Sequence, residues 1–294
     1  MKNTTDLFSE IKERFYLIDA YSYIYRAFYA IRDLKNSKGQ TTNAIYGFTH
    51  MLLKLLKEES PDYIACAFDH PKPTWRAEAY NDYKIHRKPM PDDLKSQIPY
   101  IKEVLNGFNI PIFERPGFEA DDILGTIARL LSLNEAGLQV IIASSDKDIL
   151  QLVNDNIKVL NDRSEKIYYD RESVIKKMGV PPENIPDFFA LCGDSSDNIP
   201  GVDGIGQKGA LNLINRFNTI ENLMKNVNEI KNEKHKKAVI ENKDNAILSK
   251  KLAMIKTDVP FDFDLSSCQI KNINREKLAE LFKELEFNNL INKI

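Results

Sequence analysis

Short apolar runs alternate with helical patterns between residues 15 and 169, and three of these runs end at an aspartate. Residues 15–19, 64–69 and 140–146 have the length and the near-continuous hydrophobicity of strands that are buried on both faces. Two further predicted strands, 157–160 and 166–169, are joined by a polar turn. Strands separated by helices in this way predict an α/β fold with a mostly parallel central sheet.

The pattern changes after about residue 172, where the strand signal disappears. Helical patterns punctuated by Gly and Pro continue to about residue 256, and a tail over residues 261–294 ends in one more helical pattern. We therefore predict a core over residues 1–172 and a helical region over residues 173–294. Residues 71–93 carry many charges, four prolines and few aliphatic side chains, which predicts an exposed excursion from the core.

Acidic residues lie where the predicted strands end or the predicted helices begin. Ligands of an open parallel sheet bind beyond the carboxyl ends of its strands, so these carboxylates would meet at one edge. Such a cluster requires cations, because ionised carboxylates raise one another's pKa. Hard divalent ions such as Mg²⁺ suit oxygen ligands, and two of them about 4 Å apart suit displacement at a phosphodiester. The nine candidate metal ligands are Asp19, Asp69, Glu119, Asp121, Asp122, Asp146, Asp148, Asp194 and Asp197.

A purely structural interpretation also exists for these acids. Glu119, Asp121 and Asp122 could cap the helix that follows them, although one cap needs only one acid. Asp146 and Asp148 could likewise cap the next helix. The number of acids and their shared position at the sheet edge favour metal binding over capping alone.

The net charge of −2 over 294 residues argues by itself against a nucleic-acid partner. The nine acids reverse this argument, because without them the rest of the chain would carry a formal charge of +7. Acids in a cleft with bases around it are typical of an enzyme that acts on polyphosphates. The three cysteines are widely spaced and form no metal-binding pattern. A polar start and the lack of any apolar run of ~20 residues predict a cytoplasmic protein that contacts no membrane.

Two segments outside the acidic cluster predict contacts with nucleic acid. Residues 201–210 place Gly204 and Gly206 before an amphipathic helix, so that backbone N–H groups and Lys208 can meet a phosphate. Between residues 72 and 88, five basic side chains are interleaved with aromatic ones such as Tyr83, which suits single-stranded nucleic acid. A plain helix–helix turn and a solvated charged loop are the structural alternatives.

Three motifs carry a resemblance to a known family. They are PGFEADD at residues 116–122, DKD at 146–148, and LCGDSSDNIPG at 191–201, which runs directly into the glycine hairpin. With a match that extends from Asp19 to Phe287, the chain resembles the 5′-nuclease domains of bacterial DNA polymerase I, within the wider flap endonuclease family. The resemblance implies a PIN-like core, a helical arch at about residues 71–93, and a helix-three-turn-helix DNA-binding element at about residues 185–256.

The resemblance also assigns roles to individual residues. It implies a first metal site at Asp19, Asp69, Glu119 and Asp121, and a second at Asp146, Asp148, Asp194 and Asp197 with Asp122 nearby. Lys84 and Arg87 would hold the scissile phosphate, with Arg26 close to the active site. The patterns described above, rather than the resemblance, predict DNA binding at Tyr83, Gly204, Gly206 and Lys208.

The resulting prediction is a structure-specific 5′-3′ exonuclease and flap endonuclease of DNA replication and repair. It would use two Mg²⁺ ions, with Mn²⁺ as a substitute, and leave 5′-phosphate products; the resemblance adds a K⁺ ion at the glycine hairpin. The expected partner is DNA with 5′ ends or flaps, bound by a monomer that is fused to, or acts with, a DNA polymerase. A PIN-type ribonuclease and a non-catalytic branched-DNA-binding module are the alternatives.

Overall fold

The central sheet has six strands and is parallel except at one edge. The computed structural model describes residues 13–135, 137–163 and 165–294. The strands are β1 (Glu13–Asp19), β2 (Tyr63–Ala67), β3 (Ile112–Phe113), β4 (Leu138–Ala143), β5 (Ile157–Asn161) and β6 (Ile167–Tyr169). They lie in the order β3-β2-β1-β4-β5-β6. Every neighbouring pair is parallel apart from β5 and β6, which are antiparallel.

This topology confirms the predicted sheet and fixes where a ligand can bind. Five of the six strands lie where the sequence predicts them, and the exception is β3, whose two residues follow Pro111 and are too short to give a pattern. The strand order reverses between β1 and β4. Such a switch point leaves a crevice beyond the carboxyl ends of the two strands, where ligands of open α/β sheets bind.

Helices cover both faces of the sheet, and among those in the described residues none is long and apolar enough to cross a membrane. In the α/β core they are α1 (Ala20–Ala30), α2 (Asn43–Glu59), α3 (Trp75–Ala79), α4 (Asp92–Lys95), α5 (Ile98–Gly107) and α6 (Ala120–Asn134). The chain continues with α7 (Arg171–Met178), α8 (Ile185–Cys192), α9 (Gln207–Phe217), α10 (Ile220–Lys225), α11 (Glu233–Glu241), α12 (Lys243–Ala253), α13 (Arg275–Glu284) and α14 (Asn288–Ile291).

The alternation of side chains along β1 divides the apolar interior into two cores. Phe15 and Leu17 point into a core shared with α6 and the helices from α8 to α12. Tyr16 and Ile18 point to the opposite face, where α1, α2 and α5 pack. All four side chains are at most 1% exposed. Full burial of one such side chain stabilises the fold by about 1.5–3 kcal/mol, so β1 is held firmly from both faces.

The tail of the predicted helical region packs back onto the α/β core. Leu278 and Phe282 of α13 are fully buried in the core that contains α5. The approach is close, since a Cβ atom on Gly107 would lie 2.5 Å from Leu278 Cδ2. The backbone N–H of Asn274 also donates to the carbonyl of Gly107 at 2.8 Å. The helical periodicity of the tail did not indicate this contact.

Residues 71–93 are less exposed and less helical than the sequence predicts. Their helices are the five residues of α3 and the beginning of α4, separated by turns. Arg76 and Tyr83 are 3% and 8% exposed, whereas Ile85 is 57% exposed. The inner side of the segment is therefore anchored in the protein, and its longest continuous run of exposed residues is 85–89.

Candidate active site

A cleft of about 1610 Å³ opens where the carboxyl ends of β1, β2 and β4 meet. Six of the nine predicted metal ligands line this cleft, and they come from five separate segments of the chain. The three basic residues that were predicted to act in catalysis line it as well. The structure thus brings together Lys84, Arg87, Arg26, Asp19, Asp69, Glu119, Asp121, Asp146 and Asp197.

Asp19 joins the ends of β1 and β4 across the switch point. Its carboxylate caps α1 by accepting from the backbone N–H of Ser22 at 3.1 Å, and it accepts from Ser144 Oγ at 2.7 Å. Ser22 and Ser145 complete the link through a 2.7 Å hydroxyl contact. Burial raises the pKa of Asp19 to about 7, although these hydrogen bonds oppose the rise. Asp19 therefore caps a helix and also belongs to the acidic cluster.

The acids around the start of α6 share different tasks. Asp69, which follows β2, accepts from the backbone N–H of Ala120 at 2.7 Å and so caps α6 from a distant segment. Asp121, in the first turn of α6, is left to face the cleft. Burial, and then the charges of Asp146, Asp19 and Glu119, raise the pKa of Asp121 well above its usual range. In this part of the cleft, the negative charge of the acids exceeds the positive charge of the basic side chains nearby.

The prediction of Asp122 as a metal ligand is not supported by its surroundings. Its side chain is fully buried and receives both Nη atoms of Arg76, at 2.9 and 2.8 Å. The indole Nε1 of Trp75 and the backbone N–H of Lys256 also donate to it, at 3.1 and 2.9 Å. With its oxygens occupied in this way, Asp122 anchors residues 71–93 and the chain after α12 to the start of α6.

Two glycines shape the loop that carries Asp194 and Asp197. Gly193 and Gly201 have φ values of +68° and +69°, in the left-handed region that other residues rarely adopt. A Cβ atom on Gly201 would lie 2.4 Å from the backbone N of Gly193, so the two chain segments cross almost in contact. The crossing closes the loop through a bridge between Asp194 and Ile199. Asp197 thereby reaches the cleft.

Lys84 and Arg87 hold two of the cleft acids in this conformation. Lys84 Nζ lies 2.8 Å from Glu119 Oε1 and 3.5 Å from Asp197 Oδ2. Arg87 Nη2 donates to the other oxygen of Asp197 at 2.8 Å, and its side chain is 51% exposed at the cleft. The backbone N–H of Lys84 also donates to the carbonyl of Asp197. The two side chains that are predicted to hold the scissile phosphate therefore already lie inside the cleft.

Lys147 is a basic residue of this region that the sequence reasoning overlooked, although it stands inside the DKD motif. Its ammonium lies 2.7 Å from Asp194 Oδ2 and 3.3 Å from Asp148 Oδ1. Although burial opposes it, the bond from Lys147 lowers the pKa of Asp194. Burial and the charge of Asp146 raise the pKa of Asp148 to about 7. Asp148 and Asp194 do not line the cleft themselves, but both form ion pairs with Lys147, which does line it.

The predicted contact of Tyr83 with DNA stays a prediction, and in this conformation its side chain is buried. Tyr83 is 8% exposed, and its hydroxyl oxygen lies 3.2 Å from Glu119 Oε2 and 3.1 Å from Asp197 Oδ2, so its one proton is shared between the two acids. A buried ring cannot stack on a base. Tyr83 instead braces two acids that stand on different segments of the chain.

The glycine hairpin before α9 is exposed, as a phosphate contact requires. Gly204 has a φ of +80°, and neither Gly204 nor Gly206 would bring an added Cβ within 4 Å of another atom. Gly206 is the N-cap residue of α9, and Lys208 lies exposed in the first turn. On the inner side of α9, Ala210 and Ile214 are buried and fix the helix. The roles of Gly204, Gly206 and Lys208 in DNA binding stay predictions.

The donor chemistry of the cleft fits hard divalent cations. Its acids offer only carboxylate oxygens, and several have raised pKa values because burial leaves their charge uncompensated. Within residues 13–135, 137–163 and 165–294, no three acidic, histidine or cysteine side chains are arranged to enclose an ion. Lys84, Arg87 and Lys147 hold several of the carboxylates instead. Cations would therefore have to displace these basic side chains.

Asp121→Asn and Asp122→Asn should shift the melting temperature of the metal-free protein in opposite directions. Asp121 adds repulsion to a crowded set of acids, so its amide variant should melt a few degrees higher. Asp122 is the buried partner of Arg76. Removing one member of a buried ion pair costs about 3–5 kcal/mol, so the second variant should melt roughly 5–15 °C lower.

The measurement is a thermal melt in a chelator, at a pH above the value of about 7 to which burial raises the pKa of Asp19, so that Asp19 is ionised and repels its neighbours. Adding Mg²⁺ should stabilise the wild type more than Asp121→Asn, because only the wild type keeps the full charge of the site. A lower melting temperature for Asp121→Asn in chelator would instead make Asp121 a structural partner.

Comparison with known proteins identifies the family of the chain. Residues 14–179 match the N-terminal resolvase-like domain of 5′-3′ exonucleases, and residues 180–276 match the C-terminal SAM fold of the same proteins. The chain belongs to the 5′-3′ exonuclease family. A 5′-3′ exonuclease of Aquifex aeolicus is 42% identical over 95% of this chain and 94% of its own length. DNA polymerase I of Caldicellulosiruptor bescii is also 42% identical over 95% of this chain, which spans only 33% of that polymerase.

Solved structures share the fold at much lower identity. A T5 5′-exonuclease with bound zinc ions has a TM-score of 0.69 at 19% identity, covering 96% of this chain and all of its own. The catalytic core of Rad2 in complex with a DNA substrate has a TM-score of 0.61 at 21% identity, covering 97% and 94%. These likenesses confirm the predicted fold class, an α/β nuclease core followed by a helical region.

Proposed function

We propose that this member of the family is a divalent-metal-dependent 5′-nuclease, which hydrolyses DNA phosphodiesters at 5′ ends and flaps and leaves 5′-phosphate products. One observation carries the proposal: six of the nine predicted metal ligands, from five segments, converge in one cleft with Lys84, Arg87 and Arg26. A binding module would gain nothing from this arrangement, because clustered acids repel a phosphate backbone. A phosphodiesterase needs both signs of charge. The acids bind the metal cations, and these cations contact the phosphate together with the basic side chains.

The residues of the cleft divide this work between them. Asp19, Asp69, Glu119 and Asp121 would hold one ion, and Asp146, Asp148, Asp194 and Asp197 a second. Bound there, divalent ions would supply Lewis-acid stabilisation of the phosphate and lower the pKa of a water molecule.

Lys84 and Arg87 would turn from the cleft acids to the phosphate when cations take those acids. Their positive charge would then stabilise the charge that develops on the phosphate. Arg26 lines the same cleft and would contact the substrate from α1.

The finer assignments are part of the proposal. Mg²⁺ is the expected ion and Mn²⁺ its substitute, because both accept octahedral oxygen coordination. The segment from α8 to α12 would serve as the helix-three-turn-helix element, with K⁺ at the hairpin before α9. We propose a cytoplasmic monomer that acts beside, or as part of, a DNA polymerase.

The decisive experiment compares cleavage of a labelled 5′ flap DNA, a matched RNA flap and an unbranched duplex, with Mg²⁺ and with a chelator. We expect Mg²⁺-dependent cleavage of the DNA flap and a 5′-phosphate on the product. Faster cleavage of the RNA flap would favour a PIN-type ribonuclease. Tight binding of branched DNA with no cleavage in Mg²⁺ or Mn²⁺ would favour a binding module.

Lys208→Ala should weaken DNA binding without changing the rate of the chemical step. Its exposed side chain at the start of α9 is proposed to contact one backbone phosphate. Loss of one such contact should reduce the slope of log K against log salt concentration by about one unit. Lys57→Ala, which removes an exposed lysine at the end of α2, should leave the slope unchanged. An unchanged slope for Lys208→Ala would show that the glycine hairpin is only a structural turn between helices.

A further inference from the structure

Arg26 is held differently from the other two basic residues that are proposed to contact the substrate phosphate. Lys84 and Arg87 form ion pairs with proposed metal ligands. Arg26 Nη1 instead lies 2.6 Å from Oδ1 of Asp162, which stands in the turn between β5 and β6. Asp162 belongs to neither proposed metal site and does not itself line the cleft. The partner of Arg26 would therefore not be taken away when cations bind.

Within the described part of the chain, the other contacts of Arg26 are uncharged. Its Nε and Nη2 lie 3.0 and 2.7 Å from Met51 Sδ, and its Cζ lies 4.6 Å from the centre of the buried Tyr23 ring. The side chains of Arg26 and Asp162 are only 17% and 18% exposed, so solvent screens the pair incompletely. A guanidinium is rigid and planar, so a group that binds one of its edges also sets the direction in which its remaining N–H groups point. Asp162 is the charged group that sets this direction.

We propose that Asp162 is a positioning residue for the nuclease reaction: it aims the Arg26 guanidinium at the substrate phosphate independently of metal occupancy. The inference rests on the proposed function, because it assumes that the cleft hydrolyses DNA. Asp162 also places a negative charge close to the phosphate path, which weakens attraction for DNA. These two effects of Asp162 oppose each other. Its negative charge weakens the binding of DNA, whereas its bond to Arg26 improves the orientation of the guanidinium in the transition state.

This opposition gives the experiment a signature that a merely structural residue would lack. Asp162→Ala should reduce the single-turnover rate at saturating flap DNA about tenfold, because the freed arginine samples several rotamers. The same variant should bind DNA equally well or more tightly in Ca²⁺ at low salt. Asp162→Asn keeps an oxygen that can accept from Arg26 Nη1, so its rate should stay within about threefold of the wild type.

Two controls separate positioning from other effects. Glu183→Ala removes an ion pair of the same 2.6 Å length, made with Arg171 outside the cleft, and should leave rate and affinity unchanged. Arg26→Ala and the double variant Arg26→Ala/Asp162→Ala should cleave at the same slow rate, since Asp162 would act only through the arginine. A crystal structure of Asp162→Ala should show the guanidinium displaced from Met51 and Tyr23, which tests the orientation without any assay of activity.

The outcomes also separate this inference from the function on which it rests. Wild-type speed in Asp162→Ala, or a further slowing when it is added to Arg26→Ala, would overturn the positioning role and leave the nuclease assignment intact. An unmoved guanidinium in the crystal structure would overturn it as well. A wild-type protein that cleaves no DNA would refute the proposed function itself, and the positioning role with it.

Discussion

Asp121→Asn should abolish cleavage of a 5′ flap DNA while leaving the affinity for DNA nearly unchanged. Asp121 faces the cleft from the first turn of α6, where burial and three neighbouring acids raise its pKa. A half-buried carboxylate whose charge is not compensated is a ligand for a divalent ion rather than for DNA, because a phosphate repels it. The amide keeps the size of the side chain and removes the charge on which the ion depends.

The expected loss is about two orders of magnitude or more in turnover at saturating Mg²⁺, the scale on which removing a key electrostatic group acts. Asp146→Asn should behave in the same way, since Asp146 approaches the same cleft from the end of β4. Affinity is measured by equilibrium binding in Ca²⁺, which binds similar ligands but misplaces the reacting groups.

Asp92→Asn is the matched control, because Asp92 lines the cleft but lies in α4, away from the strand ends. It should retain turnover close to that of the wild type. If Asp121→Asn keeps more than roughly a tenth of wild-type turnover, a loss far smaller than that expected of a key group, the metal assignment of the first site is wrong.

The sheet and its acidic edge could be predicted because their signals are local. A strand buried on both faces is continuously apolar, and β1 and β4 show this over residues 15–18 and 140–143. The acids that follow such strands must lie at one edge, because parallel strands end on the same side. Six of the nine predicted acids accordingly line one cleft.

Asp121 and Asp122 show what local patterns cannot resolve. The two residues are identical in type and adjacent, and one step along a helix turns the side chain by about 100°. One therefore faces the cleft and the other faces Arg76, which stands 46 positions away in the sequence. Only the tertiary structure distinguishes the acid that is free to bind an ion from the acid that anchors a segment.

Residues 71–93 were misjudged for a related reason. Their charge and proline content predict an exposed loop, but Arg76 and Tyr83 are buried and hydrogen-bonded to acids of the same chain. Composition counts a basic or aromatic residue in the same way whether it meets DNA or a carboxylate of its own chain. The return of α13 to α5 is likewise a long-range contact that periodicity leaves open.

Lys84→Ala and Arg87→Ala should slow the chemical step much more than they weaken DNA binding. Both side chains already lie in the cleft, on Glu119 and Asp197, and cations that take these acids would release them towards the phosphate. There they would oppose charge that develops only in the transition state, where one electrostatic contact contributes about 2–4 kcal/mol. Single-turnover rates at saturating flap DNA should therefore fall by about one and a half to three orders of magnitude.

Lys88→Ala provides the comparison, because Lys88 is an exposed lysine of the same cleft with no assigned contact to the reacting phosphate. Its loss should appear in affinity and salt dependence, with a normal rate once DNA is saturating. If Lys84→Ala and Arg87→Ala also bind more weakly and then cleave at the normal rate, residues 71–93 only grip the DNA. The role at the reacting phosphate would then pass to Arg26, whose ion pair with Asp162 leaves it directed into the cleft without help from the proposed metal ligands.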